Sequence, residues 1–510
     1  MQHAGSRPMR ALATSAEARR VDAIAVERGL STLVLMENAG RGATDVIATR
    51  HADALARPLI VGGVGQNGGD AWVVARHLAA RGVTPRVALV GPRSAVKGDA
   101  AANLATLEAH GVRVLDVARL DGLRALLDGA TLVVDGIFGT GLSRPVEGWL
   151  AEVITTLDGA GLPVVALDLP SGISADTGQI LGAALRARTT ITFGVDKRGL
   201  HQYPGADHAG DVFVETLGLP SIPTTGVELL ERGSLVHLLR ARAADAHKGS
   251  TGHVLVVAGS PGRTGAALLA GRGAQRMGAG LVTLAARGAA RTALDAKVLE
   301  AMTVEVPEAL EAGVAAVLRE CAGKKAAVVG PGLGLDAAAQ ALARRLALEL
   351  PVPTVLDADA LTALAADPGA LRGATAPRVL TPHPGEAARL LGVTPGAIQA
   401  DRHAAAAELA TRTGQVVVLK GAGSLVAEPS GRARVCGVGT PALASGGTGD
   451  VLAGACGAML VTLDPFDAAS AAVLAHARAG ELAAKADRGL LASEVADALP
   501  DAVAERFEHR

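Results

Sequence analysis

The chain predicts an α/β protein of two domains, each a mostly parallel sheet covered on both faces by helices. Three observations carry this. Its 510 residues exceed what one ordinary core organises, so two or three domains are expected. In each half, short apolar runs alternate with segments long enough for crossover helices, the pattern of parallel strands joined through helices. Polar, glycine-rich loops follow those runs, where such sheets hold their ligands.

Composition narrows the functional classes. Lys plus Arg number 49 and Asp plus Glu 50, so no net field draws the chain to nucleic acid or to an anionic membrane. Aromatics at 2% leave little for stacking on bases. An apolar share of 49% with 64 glycines is that of a folded protein with tight helix–sheet contacts. Cys321, Cys436 and Cys456 stand far apart with no C-x-x-C. Neither a zinc site nor a disulfide framework is suggested, and a reducing cytoplasm fits. Residues 1–20 lack the apolar core of a secretory signal. The longest apolar run, 451–463, is too short to span a bilayer and reads as a buried helix.

In the first half, Thr14-Ser15-Ala16-Glu17 fits a capping box for a helix running to about residue 28, and a second helix follows from about Thr32. Strands are expected at 58–64, 86–90, 132–135, 163–169, 189–193 and 211–215. After the first comes Gly65-Gln66-Asn67-Gly68-Gly69-Asp70, then a helix over 71–81. Glycines before a helix N-terminus suit a phosphate; the competing reading is a plain turn capped by Asp70. After the third comes a loop from Asp135 through Gly139-Thr140-Gly141-Leu142-Ser143-Arg144-Pro145, with Arg144 for charge pairing. After the fourth comes Asp168-Leu169-Pro170-Ser171-Gly172. Three strand ends carrying an acid and a glycine loop suggest one pocket, with Asp168 a candidate acid–base group.

These motifs, with the segment 193–199, resemble the NAD(P)H-hydrate epimerases over about residues 9–218. The resemblance implies a Rossmann-like three-layer αβα domain that interconverts the two epimers at the hydrated nicotinamide C6, with a potassium ion near the phosphates. By position it implies Asn67, Asp135 and Ser171 as potassium ligands. It implies Gln66, Asn67, Gly68, Gly69, Asp70, Gly139, Thr140, Gly141, Leu142, Ser143, Arg144, Pro145 and Asp168 as the substrate site, with Asp168 exchanging protons. The family usually has Asn at Gln66 and Gly at Ala71. The first departure bears on phosphate affinity, and Ala71 suits a first helical turn.

Leu219-Pro220-Ser221-Ile222-Pro223-Thr224-Thr225-Gly226 reads as the linker, giving domains 1–224 and 225–510. Beyond it, strands are expected at 253–258, 280–284, 326–330, 354–357, 378–381 and 416–420. A late hairpin over 424–427 and 432–436 turns at Pro429-Ser430-Gly431. Lys420, at a strand end before Gly421-Ala422-Gly423-Ser424, can reach a nucleotide phosphate. Asp357 and Asp359 are candidates for magnesium contact or for capping a helix over 360–366. His383 stands between two prolines in Thr381-Pro382-His383-Pro384-Gly385-Glu386. Finally Ser445-Gly446-Gly447-Thr448-Gly449-Asp450 opens the buried helix. Free N–H groups there hold an anion, and a carboxylate beside that anion suits a general base for phosphoryl transfer to a hydroxyl. The competing reading makes Asp450 an ordinary N-cap.

Residues 381–386, the run 446–454, Lys248-Gly249 and 330–334 resemble the ribokinase-like ADP- or ATP-dependent NAD(P)H-hydrate dehydratases over about 245–499. The resemblance implies a ribokinase-like αβα sandwich that phosphorylates the C6 hydroxyl of the S epimer, after which phosphate leaves and the double bond returns. It implies Asp450 as the base; Ala266, Gly332 and His383 with Asp450 as hydrate contacts; Gly449 and Lys420, Gly421, Ala422, Gly423, Ser424 as nucleotide contacts; and Mg2+ as cofactor. The family more often has Thr at Ser424, and the hydroxyl is kept. Fused members usually consume ADP, giving AMP and phosphate. Together the halves imply a bifunctional repair enzyme acting on NADHX and NADPHX with ADP, assembling as a homo-oligomer. Two alternatives stay open: a ribokinase-like small-molecule kinase, and a first half that only binds nucleotides.

Overall fold

The computed structural model describes residues 9–219 and 226–505. They divide into two compact units, one from Ala11 to residue 219, the other from Gly226 onward with Met9 and Arg10. Most of the expected linker, residues 220–225, lies outside the described residues.

The first unit is built on strands β1 (Pro58–Gly62), β2 (Arg86–Val90), β3 (Val114–Val117), β4 (Leu132–Gly136), β5 (Val164–Leu167), β6 (Thr189–Phe193) and β7 (Asp211–Glu215). All pair in parallel, in the order β3-β2-β1-β4-β5-β6-β7. Side chains alternate between faces. Ile60, Val87, Leu89 and Val134 join one cluster with Trp72 and Leu78; Leu59, Val61, Ala88 and Val133 join another with Val153 and Leu157. Both faces are therefore buried, which is why these strands read as continuous apolar runs. The chain winds outward from β1 to β3, then restarts at β4 and winds the other way. That order leaves a crevice at the carboxyl ends of β1 and β4, the topological switch point.

The second unit contains β8 (Val227–Leu230), β9 (His253–Val257), β10 (Leu281–Arg287), β11 (Met302–Val306), β12 (Ala326–Val329), β13 (Thr354–Leu356), β14 (Arg378–Leu380), β15 (Val416–Leu419), β16 (Leu425–Ala427) and β17 (Ala433–Cys436). Their order is β11-β10-β9-β12-β13-β14-β15-β16-β17-β8. Pairing is parallel from β11 to β15, antiparallel through the β16–β17 hairpin, and parallel again at β8. The switch point here falls at the ends of β9 and β12.

The helix Thr448–Met459 lies buried on this sheet, beside the helix Thr264–Arg276. Glycine permits the approach: a Cβ on Gly454 would collide with the Ala270 carbonyl, and one on Gly273 with the Val451 carbonyl. His476, buried on Pro465–Ala483, donates through Nε2 to the Thr448 carbonyl at 2.9 Å and steadies the start of the helix.

Three expectations need correction. The helix expected over 71–81 begins at Gln66 with Gly65 as its N-cap, so Asp70 is a second-turn residue and not a cap. Ala71 is likewise past the first turn, packed where a Cβ on Gly136 would crowd it at 2.7 Å. Strands β3, β8 and β11 were absent from the expected set. β3 and β11 are sheet edges with half-exposed side chains, so they lack the apolar run that betrays a central strand. Gly454→Ala is expected to destabilise the second unit by about 1–3 kcal/mol through overpacking. The control Gly233→Ala adds a Cβ that meets nothing within 4 Å and should leave the urea unfolding midpoint near that of the parent.

Candidate active sites

In the first unit the switch point opens into a cavity of about 660 Å³. The first turn of the helix Gln66–Ala80 faces it, with backbone N–H groups that have no intrahelical partner. Gln66, Asn67, Asp70, Gly139, Thr140, Gly141, Leu142, Ser143, Arg144 and Asp168 line it. Gly68 and Gly69 sit behind this wall. A Cβ on Gly68 would strike the Gly63 carbonyl, and one on Gly69 would come 2.5 Å from the Met36 sulfur. Pro145 is exposed on the loop and is not part of the lining.

Asp168 is held in the left-handed region at φ 65°. Its Oδ1 accepts from Lys197 Nζ at 2.6 Å, and its Oδ2 from the Thr140 N–H at 2.8 Å and from the Thr140 hydroxyl. Burial pushes the carboxyl up, but Lys197 and the Thr140 donors outweigh it and hold it below the usual range. Lys197 is itself buried and also donates to Thr192 Oγ1 at 2.9 Å and the Phe193 carbonyl at 2.7 Å. Asp22 and Asp70 line the same cavity, and both carboxyls are raised, first by burial and then by the charge of Asp168.

Asn67, Asp135 and Ser171 form a cluster beside this wall. The Asn67 amide donates to the Phe138 and Leu167 carbonyls, each at 2.9 Å, leaving Oδ1 buried without a partner. Asp135 accepts from the Ser171 hydroxyl at 2.7 Å, the Ser171 N–H at 2.8 Å and the Ile137 N–H at 3.1 Å. Burial nonetheless pushes its carboxyl up to about 6.

In the second unit, Gly447, at φ 91°, is the N-cap of Thr448–Met459. Asp450 is thus a first-turn residue, which removes the reading of it as the cap. Burial, then the charge of Asp357, raises its carboxyl to about 7, with Lys420 opposing. Lys420 Nζ lies 3.4 Å from where a Cβ on Gly449 would stand. It donates to Asp357 Oδ1 at 2.7 Å and lies 3.8 Å from Glu386 Oε2. Burial opposes its charge, but Asp357 and Glu386 hold it above the usual lysine range. Asp357 also accepts from the Thr381 hydroxyl at 2.8 Å. Asp359 accepts from the Gly334 N–H at 2.9 Å and lies 3.5 Å from Arg263. Neither acid caps the helix Asp359–Leu364, whose N-cap is Ala358. His383 is half-exposed and caps Pro384–Leu391: its Nδ1 accepts from the Gly385 N–H at 3.0 Å, while its own N–H reaches Glu386 at 2.8 Å. The Ser424 hydroxyl donates to the Gly421 carbonyl at 2.8 Å and closes the loop that holds Ala422 and Gly423. Ala266 lies in the first turn of Thr264–Arg276, and a Cβ on Gly332 would stand 3.0 Å from its own. Contacts therefore run from His383 through Glu386 to Lys420, whose ammonium stands near Gly449 and within electrostatic reach of Asp450.

Comparison with known proteins agrees with this two-part arrangement. The family model for NAD(P)H-hydrate dehydratase matches residues 254–501, and that for the YjeF-related protein N-terminus matches 32–199. The bifunctional NAD(P)H-hydrate repair enzyme Nnr of Moorella thermoacetica is 39% identical over 507 residues, covering 96% of each chain. The chain belongs to the bifunctional NAD(P)H-hydrate repair enzyme family. The enzyme of the same name from Coxiella burnetii is 37% identical, covering 96% of this chain and 98% of its own. Among solved structures, the ADP/ATP-dependent NAD(P)H-hydrate dehydratase from Bacillus subtilis, co-crystallized with ATP and Mg2+, is 32% identical. It covers 54% of this chain and 97% of its own, with a TM-score of 0.46.

Sequence reasoning missed Lys197, Asp22 and the Glu386–Lys420 pairing as parts of the sites. The signal for Lys197 was present: Asp196-Lys197 interrupts an apolar segment just after a strand end. Asp22 gave none, because it lies on the helix Ser15–Glu27, far in sequence from the loops it faces. The field around Asp450 is directly measurable. Its carboxyl should titrate near pH 7 by carbon NMR; Lys420→Met should raise that midpoint, and Asp357→Asn should lower it.

Proposed function

We propose that the first unit interconverts the R and S epimers of NADHX and NADPHX, and that the second dehydrates the S epimer to NAD(P)H while ADP becomes AMP and phosphate. The family membership gives the pair of activities. The observation that carries the chemistry is Asp450, a carboxyl raised to about 7 in the first turn of a helix whose leading N–H groups are free. Near neutral pH it holds the balance between accepting and releasing a proton that general-base work requires.

In this reading Asp450 takes the proton of the C6 hydroxyl as the terminal phosphoryl group of the nucleotide arrives. Lys420 and the helix N-terminus draw the phosphate oxygens into line and offset the charge gathering there. Lys420, Gly421, Ala422, Gly423, Ser424 and Gly449 contact the nucleotide; Ala266, Gly332 and His383 contact the hydrate. Phosphorylation turns hydroxide, a poor leaving group, into phosphate, a good one. Among the described residues no group of three or more His, Cys, Asp or Glu side chains is arranged to hold an ion. Magnesium would come with the nucleotide phosphates, whose hard oxygens hold most of its coordination shell.

In the first unit Asp168, held ionised by Lys197, exchanges a proton with the C6 hydroxyl, while Gln66, Asn67, Asp70 and Gly139 to Arg144 face the rest of the hydrate, with Gly68 and Gly69 backing that wall. A potassium ion suits Asn67, Asp135 and Ser171: the buried Asn67 Oδ1 has no partner, and all three side chains offer the hard oxygen that such a cation takes. Bound there, the ion would supply positive charge beside the substrate phosphates. The protein works as a cytoplasmic homo-oligomer on small molecules, with no nucleic acid partner. No described helix is long and apolar enough to cross a membrane.

The deciding experiment incubates mixed hydrate epimers with the protein and ADP or ATP. Recovery of reduced-nicotinamide absorbance with free phosphate is expected, faster with ADP; a stable phosphorylated product would favour the kinase alternative. Asp450→Asn should slow dehydration by about 10²–10⁴-fold, read as the rate of absorbance recovery. Potassium should tighten hydrate binding for epimerisation more than sodium does, and Asn67→Leu should erase that difference.

A further inference from the structure

The epimerase cavity contains two carboxyls in opposite situations. Four donors point at Asp168: the Lys197 ammonium, the Thr140 N–H, the Thr140 hydroxyl and, at 3.4 Å, the Thr192 hydroxyl. Asp70 is only 9% exposed and lines the same cavity, yet no described residue hydrogen-bonds its carboxyl. A buried polar group without a protein partner is uncommon and costly, and a ligand is one way to complete it. Donors favour the ionised form; their absence, with burial, favours the neutral form, which can itself donate. Burial and the charges of Asp168 and Asp22 hold Asp70 well above the usual carboxyl range, whereas Asp168 is held below it. The other charged groups facing the cavity are Arg19, Asp22, Asp99, Arg144 and Lys197. Two carboxyls driven apart in one site are the pattern of a base and its acid.

The chemistry at C6 needs both. C6 carries the hydroxyl and is bonded to the ring nitrogen N1. Removing the hydroxyl proton lets an oxygen electron pair form the C6 carbonyl as the C6–N1 bond breaks. The bond pair passes to N1, conjugated with the C2–C3 double bond and the carboxamide, and N1 takes up a proton. Rotation about C5–C6 presents the other face of the aldehyde. N1 then re-adds, losing its proton as the oxygen regains one. Both protons return, no bond changes overall except in configuration, and no co-reactant is consumed.

Resting on the epimerase reading above, we propose that Asp70 is the general acid of this reaction, giving its proton to N1 as the ring opens while Asp168 receives that of the hydroxyl, with the roles reversed on closure. The helix Gln66–Ala80 would then serve twice, its first turn toward the phosphates and Asp70, in the next turn, toward the ring. The test uses the full chain, the purified R epimer of NADPHX and potassium, without nucleotide so that dehydration is silent. Formation of the S epimer is followed by chromatography, with the spontaneous rate subtracted. Asp70→Asn should lower kcat by about 10²–10⁴-fold with KM changed by less than about threefold. The parent's kcat/KM should fall at alkaline pH as Asp70 loses its proton, this fall should vanish in the variant, and Asp70→Glu should recover part of the rate. A kcat for Asp70→Asn within about threefold of the parent, or a loss confined to KM, overturns the proposal. A parent protein that does not exceed the spontaneous rate would instead overturn the epimerase reading itself.

Discussion

Both sites depend on backbone packed directly against backbone, at positions where a side chain has no room. In the first unit the start of the helix Gln66–Ala80 rests on the strand before it through Gly68, whose missing Cβ leaves space for the Gly63 carbonyl. In the second, Gly454 lets the helix carrying Asp450 settle on the Ala270 carbonyl. A single methyl at either place would push the helix start away from its neighbours. Free N–H groups and a carboxylate act together on a ligand only when they converge within hydrogen-bond reach, so this contact decides whether each site exists.

On that frame the two units use one device with different outcomes. Each places a largely buried lysine shortly after a strand and joins it to an aspartate: Lys197 to Asp168, Lys420 to Asp357. In the first unit the aspartate so paired faces the cavity, and the pairing keeps it an anion. In the second the pairing lies beside Asp450, which is raised first by burial and then by the repulsion of Asp357, with a smaller opposing attraction from Lys420. The same two residue types therefore depress one carboxyl and leave another near neutrality. The difference lies in which carboxyl the lysine bonds: Lys197 donates to Asp168 itself, whereas Lys420 donates to Asp357 and leaves Asp450 to its burial.

Much of the fold was legible in the sequence for an identifiable reason. Strands buried on both faces are largely apolar, so β1, β2 and β4 stood out as runs, β2 to the residue. The capping box at Thr14 and Glu17 is local chemistry and is present as read: the Glu17 N–H reaches Thr14 Oγ1 at 3.2 Å. Edge strands β3 and β11 were hidden because exposed positions carry polar side chains, and the reading sought unbroken apolar runs. The glycine loops were legible as candidate sites because glycines and acids cluster after strands, and in the first unit those loops line one cavity. Asp22 and the pairing of Lys420 with Asp357 and Glu386 were not, since each joins elements distant in the chain.

The sequence by itself determined the class of the protein: the alternation, the strand-end loops and the identity of the polar residues in them are local properties, written in periods and strings of a few residues. Only the tertiary structure decided what those residues are chemically. Asp70, Asp168 and Asp450 are the same amino acid in similar glycine-rich settings, yet one has no donor, one has four, and one faces a charged neighbour. Protonation state is a property of surroundings in three dimensions, set by burial and by groups that the chain brings together from far apart.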